Sequence, residues 1–161
     1  MSKYSSSQQD APVIRAATVD DVAYIHTLLH TNANQGNLLP RPPSEIVRHL
    51  RDFFVLDHNG EPVVCGALEV FTEDLGEVRS LVVSEPYMRR GFGKLMVEWI
   101  ATEARDLGLR RLMALTYVPQ FFGKLGFEIV PKESLPEKIW GVCITCYKFH
   151  RCDETAMLRR L

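Results

Sequence analysis

Ser84-Glu85-Pro86-Tyr87-Met88-Arg89-Arg90-Gly91-Phe92-Gly93-Lys94 follows the apolar run Leu81-Val82-Val83 and leads into a stretch where Leu95, Met96, Trp99, Ile100, Ala104 and Leu107 recur at helical spacing. Strand, glycine turn and helix in that order bring successive unpaired backbone N–H groups to a helix start, where anions bind. Gly91 and Gly93 remove side chains that would hold a phosphate off the backbone, and Arg89, Arg90 and Lys94 place cations beside it. The arrangement suits a pyrophosphate, although two glycines also serve simply to make a tight strand-to-helix turn. A P-loop needs Gly-Lys-Ser/Thr after four intervening residues, and a dinucleotide fingerprint needs a third glycine with an early parallel βαβ unit. Neither is present.

Upstream, Gly76 to Val83 reads as a strand, with Glu77, Arg79, Leu81 and Val83 on one face by the two-residue period. Phe53 to Leu56 and Val63 to Phe71 are strands joined by the hairpin pair Asn59-Gly60. Val13 to Ala16 forms a short strand, and Asp20-Asp21 then opens a helix through Val22, Ile25, Leu28 and Leu29, with Thr18 as its N-cap. Thr31 to Pro43 carries Asn, Gly and three prolines and reads mostly as a loop, after which Ser44 caps a helix through Ile46, Val47 and Leu50. Downstream, the helix from Gly93 to Leu107 stops at Gly108. Leu112 to Leu115 is a strand, Phe121 to Leu125 a short helix stopped by Gly126, Phe127 to Val130 a strand, and Thr155 to Leu161 a further strand. The order predicts an α+β fold with a mixed, mainly antiparallel central sheet flanked by helices.

The 161 residues, 24% charged and 46% hydrophobic, suit one domain with a full core, expected over residues 12–161 behind a disordered tail of residues 1–11 rich in Ser and Gln. Nineteen Lys plus Arg against twenty Asp plus Glu leave a formal charge of −1, so no cationic excess exists to grip nucleic acid or an acidic membrane. No run of about eighteen apolar residues spans a bilayer, and the first residues lack the apolar core of a signal peptide, so the expected compartment is the cytosol.

The turn resembles the coenzyme A loop of the GNAT acyltransferases, Gln/Arg-x-x-Gly-x-Gly/Ala between the fourth strand and the third helix, with Met88 in the Gln/Arg position. Nearly the whole chain follows that family's order, including Phe122-Gly-Lys-Leu-Gly-Phe127. The resemblance implies a sheet splayed between its fourth and fifth strands, with acetyl-CoA as co-substrate. Residues Met88 to Lys94 would hold its pyrophosphate, and backbone near Leu81, Val82 and Val83 would hold the pantetheine and polarise the thioester carbonyl, as an oxyanion hole does. Acyl transfer to an amine requires removal of its proton near pH 7. Glu77 coincides with the family's general-base glutamate, while a solvated carboxylate or a partner for Arg79 is the plainer reading. The position where many members carry a tyrosine acid holds Phe122, expected among the residues that line the cofactor, leaving Tyr117 as a substitute acid or a packing or pantetheine contact, or no dedicated acid.

Leu135-Pro-Glu-Lys-Ile-Trp140-Gly-Val-Cys143-Ile-Thr-Cys146-Tyr-Lys148 and the residues to Glu154 are similar to the C-terminal part of short, kinase-free bacterial N-acetylglutamate synthases; Leu-Thr-Tyr117-Val-Pro-Gln-Phe-Phe122 and Lys-Leu-Gly-Phe127 fit that group as well, and Gln35-Gly-Asn-Leu-Leu39-Pro-Arg41 resembles its glutamate-side loop. That likeness implies L-glutamate as acceptor and the opening step of arginine synthesis. A dicarboxylate calls for two cationic groups, with Arg41 and Arg79 as the leading pair, Leu39 in the acceptor loop, and Lys148 and Arg15 as weaker candidates. Another small amine as acceptor, or a non-catalytic acyl-CoA sensor, stays open at this point. Members of this fold commonly dimerise, which makes a homodimer an expectation too. Cys143, Cys146 and Cys152, with His150 or Asp153, supply zinc-type ligands, but one Cys-x-x-Cys with a third cysteine lacks a second ligand pair. Packed thiols or a disulfide fit the same residues, and no metal is assigned. Cys65 and the five histidines form no recognisable hydrolase constellation.

Overall fold

Asn59 and Gly60 turn at φ 53° and 79°, joining β2 (Phe53–His58) to β3 (Glu61–Val70) as the hairpin pair predicts. The computed structural model describes residues 11–34, 41–135 and 154–161. Around this hairpin the sheet adds β1 (Val13–Ala16), β4 (Leu75–Val83), β5 (Arg111–Thr116), β6 (Glu128–Ile129) and β7 (Thr155–Arg160), in the spatial order β1-β2-β3-β4-β5-β7-β6. Every neighbouring pair is antiparallel except β4 with β5. That parallel ladder joins Leu75–Glu77 to Arg111–Met113 and goes no further, although both strands continue, so the sheet parts beyond Glu77.

α3 (Phe92–Asp106) covers one face of the sheet. Its apolar stripe buries Met96, Val97, Ile100, Ala101 and Ala104 against Phe54, Leu56, Val64, Val78 and Leu112. Full burial of each large side chain contributes about 1.5–3 kcal/mol. The approach is close at Gly66, where a Cβ would stand 2.9 Å from Met96 Cγ. The opposite face is covered by α1 (Val22–Asn34) and α2 (Pro43–Arg48), which bury Ile25, Leu29 and Ile46 against Phe53, Val55, Cys65, Ala67 and Val82. α4 (Pro119–Gly123) leads through Gly126, at φ 84°, into Phe127 and β6.

Several boundaries differ from the sequence reading. α1 runs through Thr31 to Asn34, into the stretch read as loop. Its threonines do not break it, because Thr27 Oγ1 and Thr31 Oγ1 each donate to the carbonyl four residues back at 2.9 Å. Pro42 rather than Ser44 caps α2, and Pro43 takes the first helical position, where the missing N–H has no partner to lose. The short helix begins at Pro119 for the same reason, not at Phe121. β6 is two residues long because Phe127 turns into the core, 3% exposed, before the ladder starts.

The most consequential departure lies within β4. Cys65 pairs with Val82 and Ala67 with Arg79, so three steps along β4 match two along β3. The extra residue is Ser80, held at φ 54°, and the strand bulges there. The expectation that Glu77, Arg79, Leu81 and Val83 share a face is therefore corrected. Leu81 and Val83 pack with Val78 on the α3 side, while Glu77 and Arg79 alternate with Val78 and share the α1 and α2 side with Val82.

Thr18 caps the turn before α1 as expected, and Asp21 accepts its backbone N–H at 2.7 Å. Asp21 is buried and takes two further hydrogen bonds from Arg15 at 2.8 and 2.9 Å, while Arg15 also donates to Asp57 at 2.8 Å. The Arg15 guanidinium holds the Asp21 carboxyl below its ordinary value. A depressed folded-state value stabilises the fold above the unfolded-state value, about pH 4, and that gain is lost as pH falls through the folded one. Asp21→Asn is therefore expected to lower unfolding free energy by about 1–3 kcal/mol at pH 7. Urea titrations across pH should show the deficit closing below about pH 4; a deficit that grows on acidification contradicts this account.

Candidate active site

The turn between β4 and α3 is fixed by its own backbone. Ser84 N–H donates to Val63 O at 2.8 Å, Tyr87 N–H to Ser84 O at 2.8 Å, and Met88 N–H to Glu85 O at 3.2 Å. Arg89 and Gly91 then adopt φ 64° and 81°, and Gly91 becomes the N-cap of α3 with no side chain to satisfy the first-turn N–H groups. Those of Phe92, Gly93 and Lys94 open a positive helix end beside Arg89, Arg90 and Lys94, all three exposed. Gly93 leaves little room, since a Cβ there would lie a tight 3.3 Å from Phe121 Cζ and in ordinary contact, 3.5 Å, with Val83 Cγ2. Tyr87 and Phe92 bracket the turn with His58 between them, at ring separations of 5.9 and 5.2 Å, and Arg90 lies 5.3 Å over Tyr87. Met88 is exposed at the end of the turn. Gly93→Val adds overpacking of about 1–3 kcal/mol. It is expected to weaken CoA binding at least tenfold by calorimetry, and unaltered binding would show that nothing approaches this backbone.

The turn thus sets unpaired N–H groups and cations at a helix start, and β4 and β5 part where their ladder stops. β4 runs on from that point through Val78 to Val83; of its last three residues Val82 is buried, and Leu81 and Val83 are half-buried. Tyr117 follows the end of β5 and is half-buried. Phe122 is 5% exposed and committed to the core between Phe121 and Phe127, at ring separations of 5.0 and 5.2 Å. The ring against Gly93 is thus Phe121, which the sequence reading passed over.

On the α1 and α2 face, beside the point where the sheet parts, the structure gathers charge. Glu77 is 3% exposed, and its Oε1 stands 4.0 Å from Arg79 Nε. Arg79 also donates to Glu69 Oε2 and, despite burial, is held firmly cationic by Glu77 and Glu69. Arg41 is buried, donates to Ser80 Oγ at 2.8 Å, and lies over the Phe53 ring at 5.1 Å. Burial, and then the nearby Arg79 charge, lowers its pKa. Cys65 behind this cluster is buried, and burial pushes its thiol up to about 12, so it is no nucleophile at neutral pH.

Arg41, Arg79 and Glu77 are thus brought together, whereas Arg15 is engaged by Asp21 and Asp57. Leu39, Lys148, Cys143, Cys146, His150, Cys152 and Asp153 lie outside the described residues. Among the described residues no group of three or more His, Cys, Asp or Glu side chains is placed to hold a metal ion, and no helix is long and apolar enough to cross a membrane. Glu69 and Ser80 escaped the sequence reading. Glu69 was findable as the cross-strand partner of Glu77 once register was known, but nothing in the sequence marks Ser80 as a bulge.

A glycine turn that opens a helix, and a sheet that parts beside it, agree with the class that comparisons with known proteins show, N-acetyltransferases that draw on acetyl-CoA. The chain belongs to the acetyltransferase (GNAT) family, whose family model matches residues 20–127. It is 36% identical over 148 residues to an uncharacterised N-acetyltransferase of Chlorobaculum tepidum, covering 92% of this chain and 96% of that protein. It is also 36% identical over 139 residues to an amino-acid acetyltransferase of Mycobacterium tuberculosis, covering 84% of this chain and 79% of that one. Among solved structures, N-acetylglutamate synthase from Neisseria gonorrhoeae, complexed with coenzyme A and N-acetyl-glutamate, superposes with TM-score 0.85 at 29% identity. That match covers 94% of this chain but 35% of the synthase, so the chain spans about a third of that protein's length.

Proposed function

We propose that this acetyltransferase moves the acetyl group of acetyl-CoA to the α-amino group of L-glutamate, the opening step of arginine synthesis, by direct transfer in a ternary complex. The observation that carries the reading is the grouping of Arg41, Arg79 and the buried Glu77 on one face beside the parted strands. Likeness to an amino-acid acetyltransferase and to a synthase complexed with N-acetyl-glutamate supports it.

Acetyl-CoA, when bound, supplies a thioester carbonyl carbon to which the amine nitrogen adds, the C–S bond breaking as the C–N bond forms. The chain's own residues do the rest. The Glu77 carboxylate takes the ammonium proton, directly or through a water, and so releases the lone pair. Arg41 and Arg79 hold the acceptor's carboxylates and fix where its nitrogen stands. Backbone around Leu81 to Val83 donates to the carbonyl oxygen as charge builds on it, and the Met88 to Lys94 turn holds the phosphates. Tyr117 or a water returns a proton to the departing thiolate.

A second reading, an acceptor with one carboxylate, is favoured by the carboxylates already facing the arginines, Glu69 on Arg79 and Glu45 beside Arg41. The deciding experiment follows CoA release from acetyl-CoA with L-glutamate, L-glutamine, L-aspartate, ornithine or no amine in parallel. Glutamate-dependent release yielding N-acetylglutamate establishes the first reading. Release with another amine overturns the acceptor and keeps the mechanism.

A further inference from the structure

The two arginines of this site stand in unlike states. Arg41 is 8% exposed, and one NH donates to a neutral hydroxyl, Ser80 Oγ, at 2.8 Å. Its Nε makes no hydrogen bond among the described residues, standing 3.3 Å from Oε1 of Glu45, whose side chain is 40% exposed. A buried cation whose hydrogen bond goes to a neutral hydroxyl, with a spare Nε donor and only a half-exposed carboxylate beside it, is built to receive an anion. Arg79 is already engaged, donating to Glu69 and flanked by Glu77.

The sheet explains that engagement. Register places Glu69 of β3 directly opposite Glu77 of β4, and Arg79 follows two residues along β4 on the same face. Like charges directly opposite one another repel, and Arg79 is the counter-ion that lets both carboxylates stand. The two are not equally held, however. Glu77 has a side-chain exposure of 4%, whereas Glu69 has 20% and Arg79 18%. Glu69 reaches water and can turn into it with little desolvation penalty; Glu77 cannot.

We propose that Glu69 is an internal stand-in for a substrate carboxylate, occupying Arg79 until the second carboxylate of a dicarboxylic amino acid displaces it. The inference rests on the amino-acid acceptor proposed above. Arg41 then reads the carboxylate common to every amino acid, and Arg79 answers only a side chain able to compete with Glu69. Exchange of one carboxylate for another leaves the charge around Glu77 unchanged, so the base keeps its surroundings when the site fills. A neutral amide gains too little from Arg79 to evict a charged partner, and the contact thereby becomes a filter against it.

Glu69→Gln tests this through binding alone. Affinities for L-glutamate and L-glutamine are measured by calorimetry with CoA present, so that no turnover occurs, and acetyl-CoA KM is followed separately. The variant is expected to bind L-glutamate roughly tenfold more tightly, the worth of one charge-assisted hydrogen bond, with L-glutamine and acetyl-CoA unchanged. Glu69→Asp, which keeps the charge but shortens the reach, is expected to shift L-glutamate the same way by less, and serves if Glu69→Gln fails to fold. Weaker L-glutamate binding, or an equal shift for both amino acids, overturns the displacement and makes Glu69 a fixed support for Arg79. If the unsubstituted chain binds CoA but neither binds nor acetylates L-glutamate, the acceptor reading itself falls, and this inference with it.

Discussion

Glu77→Gln is expected to lower kcat by about 10²- to 10³-fold at neutral pH while leaving the CoA dissociation constant unchanged. The amide keeps the shape of a side chain that is 3% exposed, and Arg79 keeps Glu69 as its ion partner, so the fold has little reason to give. What is lost is the capacity to accept a proton from an ammonium group beside the open end of the sheet. The deficit should therefore shrink as pH rises toward the acceptor's own pKa, where more of the amine arrives already deprotonated. Steady-state rates at several pH values, with CoA titrations alongside, separate this from a general loss of structure. Turnover equal to the unsubstituted enzyme at neutral pH would remove Glu77 from the reaction.

Arg41→Met is expected to raise the KM for the acceptor about 10- to 100-fold, the worth of a charge-assisted hydrogen bond lost from a buried site. Acetyl-CoA KM should stay the same. Stability should hold or rise, because Arg41 is a desolvated cation whose nearest carboxylate, on Glu45, is half-exposed and can turn to water when the arginine goes. Methionine also keeps an apolar stem against the Phe53 ring. Opposite signs in binding and in Tm mark a residue retained for its ligand. A fall in Tm with an unchanged acceptor KM would make Arg41 a structural cation.

Legibility followed periodicity and special dihedrals. The stripe of α3, the Asn59-Gly60 hairpin and the Gly91-Phe92-Gly93 turn were readable because each rests on a pattern or a residue type with a narrow conformational meaning. The parting of the sheet came through the family resemblance, since no local property of β4 or β5 announces where their ladder stops at Glu77 and Met113. Ser80 was invisible for a different reason: a serine at φ 54° is held there by the pairing of its neighbours across β3, and nothing in its own chemistry requires it. One such residue reverses the facing of everything beyond it. The alternation therefore placed Glu77 and Arg79 together correctly but attached Leu81 and Val83 to the wrong side. Glu69 was missed because its importance is one of register, and register depends on that bulge. The length of α1 was missed because threonine and asparagine usually mark helix ends.

The position of β7 constrains how the molecule is made. Residues 155–160 occupy the slot between β5 and β6, although both of those strands come earlier in the chain. During synthesis β5 can pair with β4 only over Arg111–Met113, and β6 has no neighbour among the earlier strands, so this side of the sheet waits for a strand translated later. Until then the outer side of β5, with Leu112 and Ala114 destined for the core, presents unpaired N–H and C=O groups to whatever is nearby. A nascent chain stalled before Thr155 would carry an open, sticky margin at the middle of its future sheet, a hazard that chaperones or the speed of elongation must cover.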